Sequence, residues 1–190
     1  MTFTPKDYFY IFLMIIALSI AFKQRYRLKF LETFLNGKLS KNPFNPIFTG
    51  NHNGIDYIIK ITPKNGFLIG GNNLTIKLKI KVPVSFSIYR KGIKPFFLDL
   101  FTLKVNTGNP DIDEYIEIRM NNEKYLTKIK PTVEHLYNLI RIGFHIIKSD
   151  EYSLTLIKTI KSDDEANPEL LKPALDEIYM INQKLTSLTK

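Results

Sequence analysis

The stretch Leu74-Thr-Ile-Lys-Leu-Lys-Ile-Lys-Val82 decides the class of this chain. Leu74, Ile76, Leu78, Ile80 and Val82 fall on one side of an extended backbone, and Thr75, Lys77, Lys79 and Lys81 on the other, because side chains along a strand alternate. A helix would scatter the same residues around its circumference. One face therefore packs while the other is wet and positive. The lysines then carry two readings. On a solvated edge strand, lysine deters edge-to-edge pairing. As a partner surface, Lys77, Lys79 and Lys81 form a face for an anionic partner, where each lysine beside an anionic bilayer contributes about 1 kcal/mol. Nucleic acid is the less favoured partner, since a stacking surface needs interleaved aromatics and only Tyr89 lies nearby.

Working outward, Val84–Tyr89 repeats the alternation after Pro83 and reads as an antiparallel continuation with its bend at the proline. Upstream, Ile55–Ile61 is rich in strand formers and follows hairpin-turn chemistry at Asn51-His52-Asn53-Gly54. Asn65-Gly66 and Gly70-Gly71-Asn72-Asn73 mark turns around a short strand at Phe67–Ile69. Tyr115–Met120 reads as a strand, and Asn122–Ile142 as helix interrupted at Pro131. Phe144–Lys148 and Tyr152–Ile160 read as a hairpin around Ser149-Asp150-Glu151. A closing helix starts with Asn167 as N-cap and Pro168 at its first position. Its residues Leu171, Ala174, Leu175, Ile178, Ile181, Leu185 and Leu188 keep helical spacing. The expected class is α+β, a mostly antiparallel sheet with helices packed on one face. The sequence holds no internal repeat.

Ahead of this domain, Tyr8–Phe22 contains no charge, no proline and no glycine. Ser19 is its one aliphatic hydroxyl, and a helix hides that on its own backbone. The run has 15 residues, whereas roughly 20 are needed to span about 30 Å of hydrocarbon. Tyr8 and Tyr10 suit one interface. Lys23, Arg25, Arg27 and Lys29 can snorkel to lipid head groups at the other and make up the missing length. A signal peptide would want a positive leading region, but Lys6 is offset by Asp7; Ala17 and Ser19 are its candidate cleavage site. A buried soluble helix would want a polar face, and the run has none. A retained transmembrane helix is the preferred reading. Cations cluster on its C-terminal side, which places the N-terminus outside and the domain in the cytoplasm of a bacterial inner membrane.

Leu28, Leu31, Phe34 and Leu35 continue at helical spacing up to Asn36-Gly37, so the anchor is expected to run on as an amphipathic stalk. Asn42-Pro43-Phe44-Asn45-Pro46 reads as a linker. The expected division is residues 1–41 as anchor and stalk and residues 42–190 as a soluble domain. In all, 190 residues with a net charge of +9 favour anionic partners, although abundant Lys, Ile and Asn also fit the codon bias of an AT-rich genome. The chain has no cysteine, which removes disulfides, thiolate metal sites and a cysteine nucleophile.

The segment Asn106–Tyr115 is the candidate functional loop, through Thr107, Gly108, Asn109, Asp111 and Asp113. Its carboxylates could hold a hard cation, but an EF-hand needs more ligands and a glycine at its sixth position. A turn whose Asp and Asn side chains bond their own backbone is the preferred reading. His52, His135 and His145 lack zinc-helix spacing. Gly66, Gly70 and Gly71 precede a strand, not the helix a phosphate cradle requires. No serine sits in a nucleophile elbow and no carboxylate pair stands in an apolar frame. No catalytic residue, metal or cofactor is expected from these patterns.

Thr107-Gly108-Asn109-Pro110-Asp111-Ile112-Asp113, followed by strand, helix, hairpin and closing helix, resembles a segment of bacterial single-pass membrane-anchored proteins. Asn109 stands where that family shows Asp, and Ile112 where it shows Phe. The resemblance covers about the last 85 residues and implies an architecture, not an activity. Together these features point to a membrane-tethered, non-enzymatic interaction module whose partners are membrane lipid and a protein of a membrane complex. The alternative is a peripheral binder of anionic lipid or nucleic acid through the lysine face.

Overall fold

The computed structural model describes residues 4–63, 71–93, 101–160 and 168–187. It opens with one uninterrupted helix, α1 (Pro5–Phe34, 30 residues). Pro5 occupies the first turn, where its missing N–H costs nothing. The Asp7 carboxylate accepts from both the Thr4 N–H and its hydroxyl at 2.7 Å, closing the helix start. Ser19 donates to the Ile15 carbonyl at 2.8 Å, as expected of a hydroxyl on an apolar helix.

Nine strands follow among the described residues, all paired antiparallel. They are β1 (Gly37–Leu39), β2 (Phe48–His52), β3 (Ile55–Pro63), β4 (Asn72–Leu78), β5 (Phe86–Arg90), β6 (Leu103–Val105), β7 (Ile116–Met120), β8 (Ile146–Asp150) and β9 (Ser153–Ile160). Their order in the single sheet is β1-β2-β3-β4-β9-β8-β5-β7-β6. The helices are α1, α2 (Pro110–Tyr115), α3 (Leu126–Ile129), α4 (Val133–Arg141) and α5 (Pro168–Ser187). The class is α+β, as the alternation at Leu74–Val82 requires.

Asn53 and Gly54 both have positive φ, 51° and 85°. That is the signature of a type I′ turn, whose twist matches the strands it joins. The hairpin β2–β3 results, with His52 opposite Ile55. The decisive stretch becomes β4 as far as Leu78; Lys79 to Val82 leave the ladder but keep the alternation, with Ile80 and Val82 buried and Lys79 and Lys81 exposed. Val84–Tyr89 does not continue antiparallel to it. Strand β5 pairs with β7 and β8, while β4 takes β9 as its second neighbour, Asn72 opposite Ile160 and Leu78 opposite Leu154. Alternation fixes which side a residue faces and is silent on which strand lies beside it.

The segment Asn106–Tyr115 is not all loop. The Asn109 side chain accepts from Asp111 N–H and starts α2, with Pro110 in its first turn. The strand expected at Phe67–Ile69, the glycines Gly66 and Gly70, the cap Asn167 and Leu188 lie outside the described residues.

One apolar cluster collects Phe48, Tyr57, Ile59, Leu74, Ile76 and Leu78 from one half of the sheet and Ile88, Ile118, Ile147 and Leu156 from the other. Leu136 and Leu139 of α4, and Leu171, Leu175, Ile178 and Ile181 of α5, close over it. Leu28, Leu31 and Leu35 belong to the same cluster. The segment expected to be a stalk thus packs on the sheet, and β1, within residues 1–41, pairs with β2. Helical spacing reported a buried face correctly, but protein covers it.

Candidate functional site

The long helix divides at about Ala21. From Tyr8 to Ile15 its large side chains stand exposed, Tyr10 at 67% and Phe12 at 59%. The helix is long and apolar enough to cross a membrane, with 6% of its most apolar window buried within the protein. Past that point Ala21, Gln24, Arg27, Leu28 and Leu31 turn one face into the fold.

The join is made of polar bonds as well as leucines. Arg25 Nη1 donates to the Ser40 carbonyl at 2.9 Å, and Glu32 Oε1 accepts from Leu39 N–H at 2.7 Å. Helix and first strand are thereby tied across the turn at Asn36. Gly37 is needed there, because a Cβ would lie 2.4 Å from the Thr49 carbonyl oxygen and 2.5 Å from the Phe48 ring. Of the four cations expected at head groups, Lys23 and Lys29 are exposed, Arg25 is half-buried in its bond to Ser40, and Arg27 is buried. The spacing of Arg27 from Leu28 and Leu31 puts it on the domain side of the helix, which charge alone could not reveal.

The second candidate surface is the sheet face opposite the apolar cluster. Strand β4 is central, flanked by β3 and β9, so Lys77 is not an edge guard. Pairing places it in a row that crosses the sheet. Lys38 is opposite Thr49, Thr49 opposite Ile58 and Ile58 opposite Lys77. From there the row runs through Thr155, Lys148, Ser87 and Arg119 to Lys104. Five cations and three hydroxyls thus share one line on one face. Lys79 and Lys81 follow beyond the end of the strand, both exposed, and Lys79 lines a hollow beside the row.

Carboxylates temper the row. Glu117 sits 2.6 Å from Arg119 Nε and 3.6 Å from Lys104 Nζ. The Asp150 carboxyl is held below the usual carboxylate range, chiefly by the Ser153 hydroxyl and the Tyr152 N–H, with Lys77 adding to the effect. Two open hollows lie along the row. One of about 250 Å³ is lined by Ser87, Thr102, Arg119 and Lys148. The other, about 410 Å³, is lined by Lys38, Thr49, Asp56, Ile58 and Lys79.

The loop before α2 is closed on itself. Asp113 accepts from Thr107 N–H at 2.8 Å and Gly108 N–H at 3.2 Å. Asn109 accepts from Asp111 N–H, and the Thr107 hydroxyl accepts from Asn109 N–H, both at 3.1 Å. Gly108 holds φ at +84°, a region glycine enters without strain. The Asp113 carboxylate and the Asn109 side-chain amide thus serve the turn. The histidines are likewise engaged. His52 Nε2 lies 2.9 Å from Asp176 and His135 Nδ1 2.6 Å from Glu177, two bonds that fasten α5. His145 Nδ1 accepts from Thr159 N–H at 3.2 Å. Among the described residues no group of three or more His, Cys, Asp or Glu side chains is placed to hold a metal.

The architecture has a counterpart of known structure. The crystal structure of the mycobacterial trehalose monomycolate transport factor A, TtfA, superposes with a TM-score of 0.55 at 12% sequence identity, over 87% of this chain and 94% of that one. At that identity the likeness is one of fold. No family model matches the chain, and no curated protein matches it in sequence.

Proposed function

We propose that this chain is a single-pass, membrane-anchored accessory or scaffold subunit of a bacterial membrane complex and works without catalysis of its own. The observation that carries the reading is the join within α1: an exposed apolar half runs without a break into a half clamped by Leu28, Leu31 and Leu35. A flexible tether would let the domain wander. A helix built into the core fixes the domain against the bilayer, which suits a part that must present a surface to a membrane neighbour. The asymmetry of Lys and Arg supports a cytoplasmic domain on an inner-membrane anchor. The resemblance of Thr107–Asp113 to bacterial single-pass proteins supports the same reading. So does a fold shared with a protein described as a transport factor.

Alkaline washing of membranes, followed by extraction in mild detergent and sizing, tests it. The protein is expected to resist the wash and to migrate with a second polypeptide, well above its own 22.1 kDa plus micelle. Release by alkali, or a lone monomer under every mild detergent, contradicts the reading.

A second reading rests on the cation row. Lys38, Lys77, Lys148, Arg119 and Lys104 on one face suit an anionic partner, either lipid head groups or a nucleic acid. A domain lacking residues 1–20 should then bind anionic vesicles or oligonucleotides with a steep salt dependence, and Lys77→Ala with Lys148→Ala should flatten the slope. Binding indifferent to salt removes this reading.

A further inference from the structure

The far half of α1 has a second apolar face that stands exposed among the described residues. Phe22, Tyr26, Phe30 and Phe34 follow one another at four-residue intervals, and their exposures are 62%, 79%, 51% and 52%. Successive residues four apart on a helix are offset by about 40°, so these four rings form one ridge, about 18 Å long, that winds by about a third of a turn. At Phe22 and Tyr26 it points away from Leu28 and Leu31, and at Phe34 it has turned towards their flank. The Phe30 and Phe34 rings already touch, with centroids 4.9 Å apart. Ridges of aromatic surface beside a fully formed core mark an interface more often than they mark chance.

Lipid is the first occupant to consider, and geometry limits its reach. Ala21 and Gln24 are buried by the domain, and Arg25 is bonded to Ser40, so folded protein with exposed Lys41 and Asn42 already stands beside this level of the helix. Such a domain cannot enter hydrocarbon, and the hydrocarbon boundary therefore falls no further along α1 than Ala21. Phe30 and Phe34 stand nine and thirteen residues beyond it, roughly 13 and 20 Å along the axis. The head-group layer is only about 5–8 Å thick on each side. Lipid can wet Phe22 and Tyr26 on a spanning helix, but it does not reach Phe30 and Phe34.

A second copy of the chain is the next occupant, and charge disfavours it. Lys23 and Lys29 flank the ridge and are exposed. The one acid between Phe22 and Phe34, Glu32, is turned to Leu39 N–H. Two copies inserted with the same orientation would bring lysines against lysines. The complementary surface is an apolar helix edged with Asp or Glu.

We infer that the Phe22-Tyr26-Phe30-Phe34 ridge docks a helix of an integral membrane partner, one that rises at least three turns out of the bilayer and carries carboxylates beside its apolar stripe. This rests on the spanning, accessory reading of the chain and names the surface that reading leaves open.

The chain has no tryptophan, so a single replacement reports on its own position. In vesicles of the purified full chain made with acyl-brominated lipid, Phe30→Trp and Phe34→Trp are expected to emit as solvent-exposed and to escape quenching. Quenching at both would assign the ridge to lipid and overturn the inference. In native membranes, a photo-crosslinking phenylalanine analogue at positions 22, 26, 30 and 34 is expected to give one heterologous adduct. Its cross-linked peptide should adjoin an apolar span and contain Asp or Glu, with Leu28 and Leu31 positions silent. An adduct of two copies of this chain, or no adduct, overturns the inference. Phe30→Ser with Phe34→Ser should cut recovery of that adduct through position 26 by about tenfold or more, with the thermal midpoint unchanged because both rings are exposed. If a partner still co-purifies undiminished, the ridge is not its dock while the accessory reading stands.

Discussion

Tyr8–Ile20 and Ala21–Phe34, with the cap Leu35, belong to the same helix and invert the usual link between composition and burial. The first segment is almost wholly apolar, yet its side chains from Tyr8 to Ile15 are exposed. The second carries Lys23, Arg25, Arg27, Lys29 and Glu32, yet supplies Leu28, Leu31 and Leu35 to the core. What the domain buries is set by the spacing of a few leucines on one face and not by mean hydropathy. A uniformly apolar helix offers no preferred side to a sheet and is satisfied by lipid. A mixed helix has one side to give, and here the sheet takes it.

The sharpest way to break this comparison is to cut between and beyond the two segments. A chain starting at residue 20 should fold and unfold cooperatively. One starting at residue 42 loses three core leucines and strand β1. Each leucine is worth about 2–5 kcal/mol, against a total stability of about 5–15 kcal/mol, so the shorter chain should show no cooperative urea transition. A cooperative transition from residue 42 onward would show the far half of α1 to be dispensable.

Point changes sharpen the same contrast. Leu31→Ala should lower domain stability by about 2–5 kcal/mol, while Leu13→Ala should leave the urea midpoint unchanged. Leu13→Lys should do the reverse, weakening membrane insertion by roughly 3–4 kcal/mol at no cost to the domain. Midpoint and alkaline extraction, read together on these variants, separate the two roles.

The smallest effect is a pH dependence confined to the clamped half. Burial beneath this region pushes the Tyr57 phenol from 10.0 up to about 12. A folded-state value above the unfolded one means that stability is fully present below pH 10 and is lost as pH rises towards 12. A shift of this size corresponds to roughly 2–3 kcal/mol. Urea midpoints between pH 9 and pH 12 should fall less in Tyr57→Phe than in the parent chain. Identical declines would assign the alkaline loss to other groups.

Much of this fold is legible in the residues, and what is not shares a cause. Alternation at Leu74–Leu78, the Asn53-Gly54 turn and the Ser149–Glu151 hairpin are local signals, and each produced the expected element. The partnership of β4 with β9 joins residues some eighty positions apart, and period-two patterning contains no information about it. Strand β2 escaped notice because Phe48-Thr-Gly-Asn-His52 is poor in strand formers; its place comes from Gly37 and Gly50, which allow close approach to Phe48 and Tyr57. The pair Asn109-Pro110 carries the same start signal as Asn167-Pro168, but the helix it opens ends after six residues at β7, too short for a periodic apolar pattern. At the candidate surfaces, Lys77 is visible in the sequence as exposed. Its neighbours Lys148, Arg119, Lys104 and Lys38 become a row only through strand order.

The unbroken backbone of α1 makes the protein a rigid lever. Residues beyond Ala21 extend the apolar half by about 20 Å, so a lean of 10° would displace Phe34 by about 3.5 Å. An apolar helix longer than the hydrocarbon around it tilts to bury the excess, so α1 spanning a thin bilayer would lean. The clamp at Leu28, Leu31 and Leu35 has no hinge to absorb such a swing, and the whole sheet turns with it. In a membrane, bilayer thickness would thereby be converted into an angle, at which the domain meets whatever stands beside it.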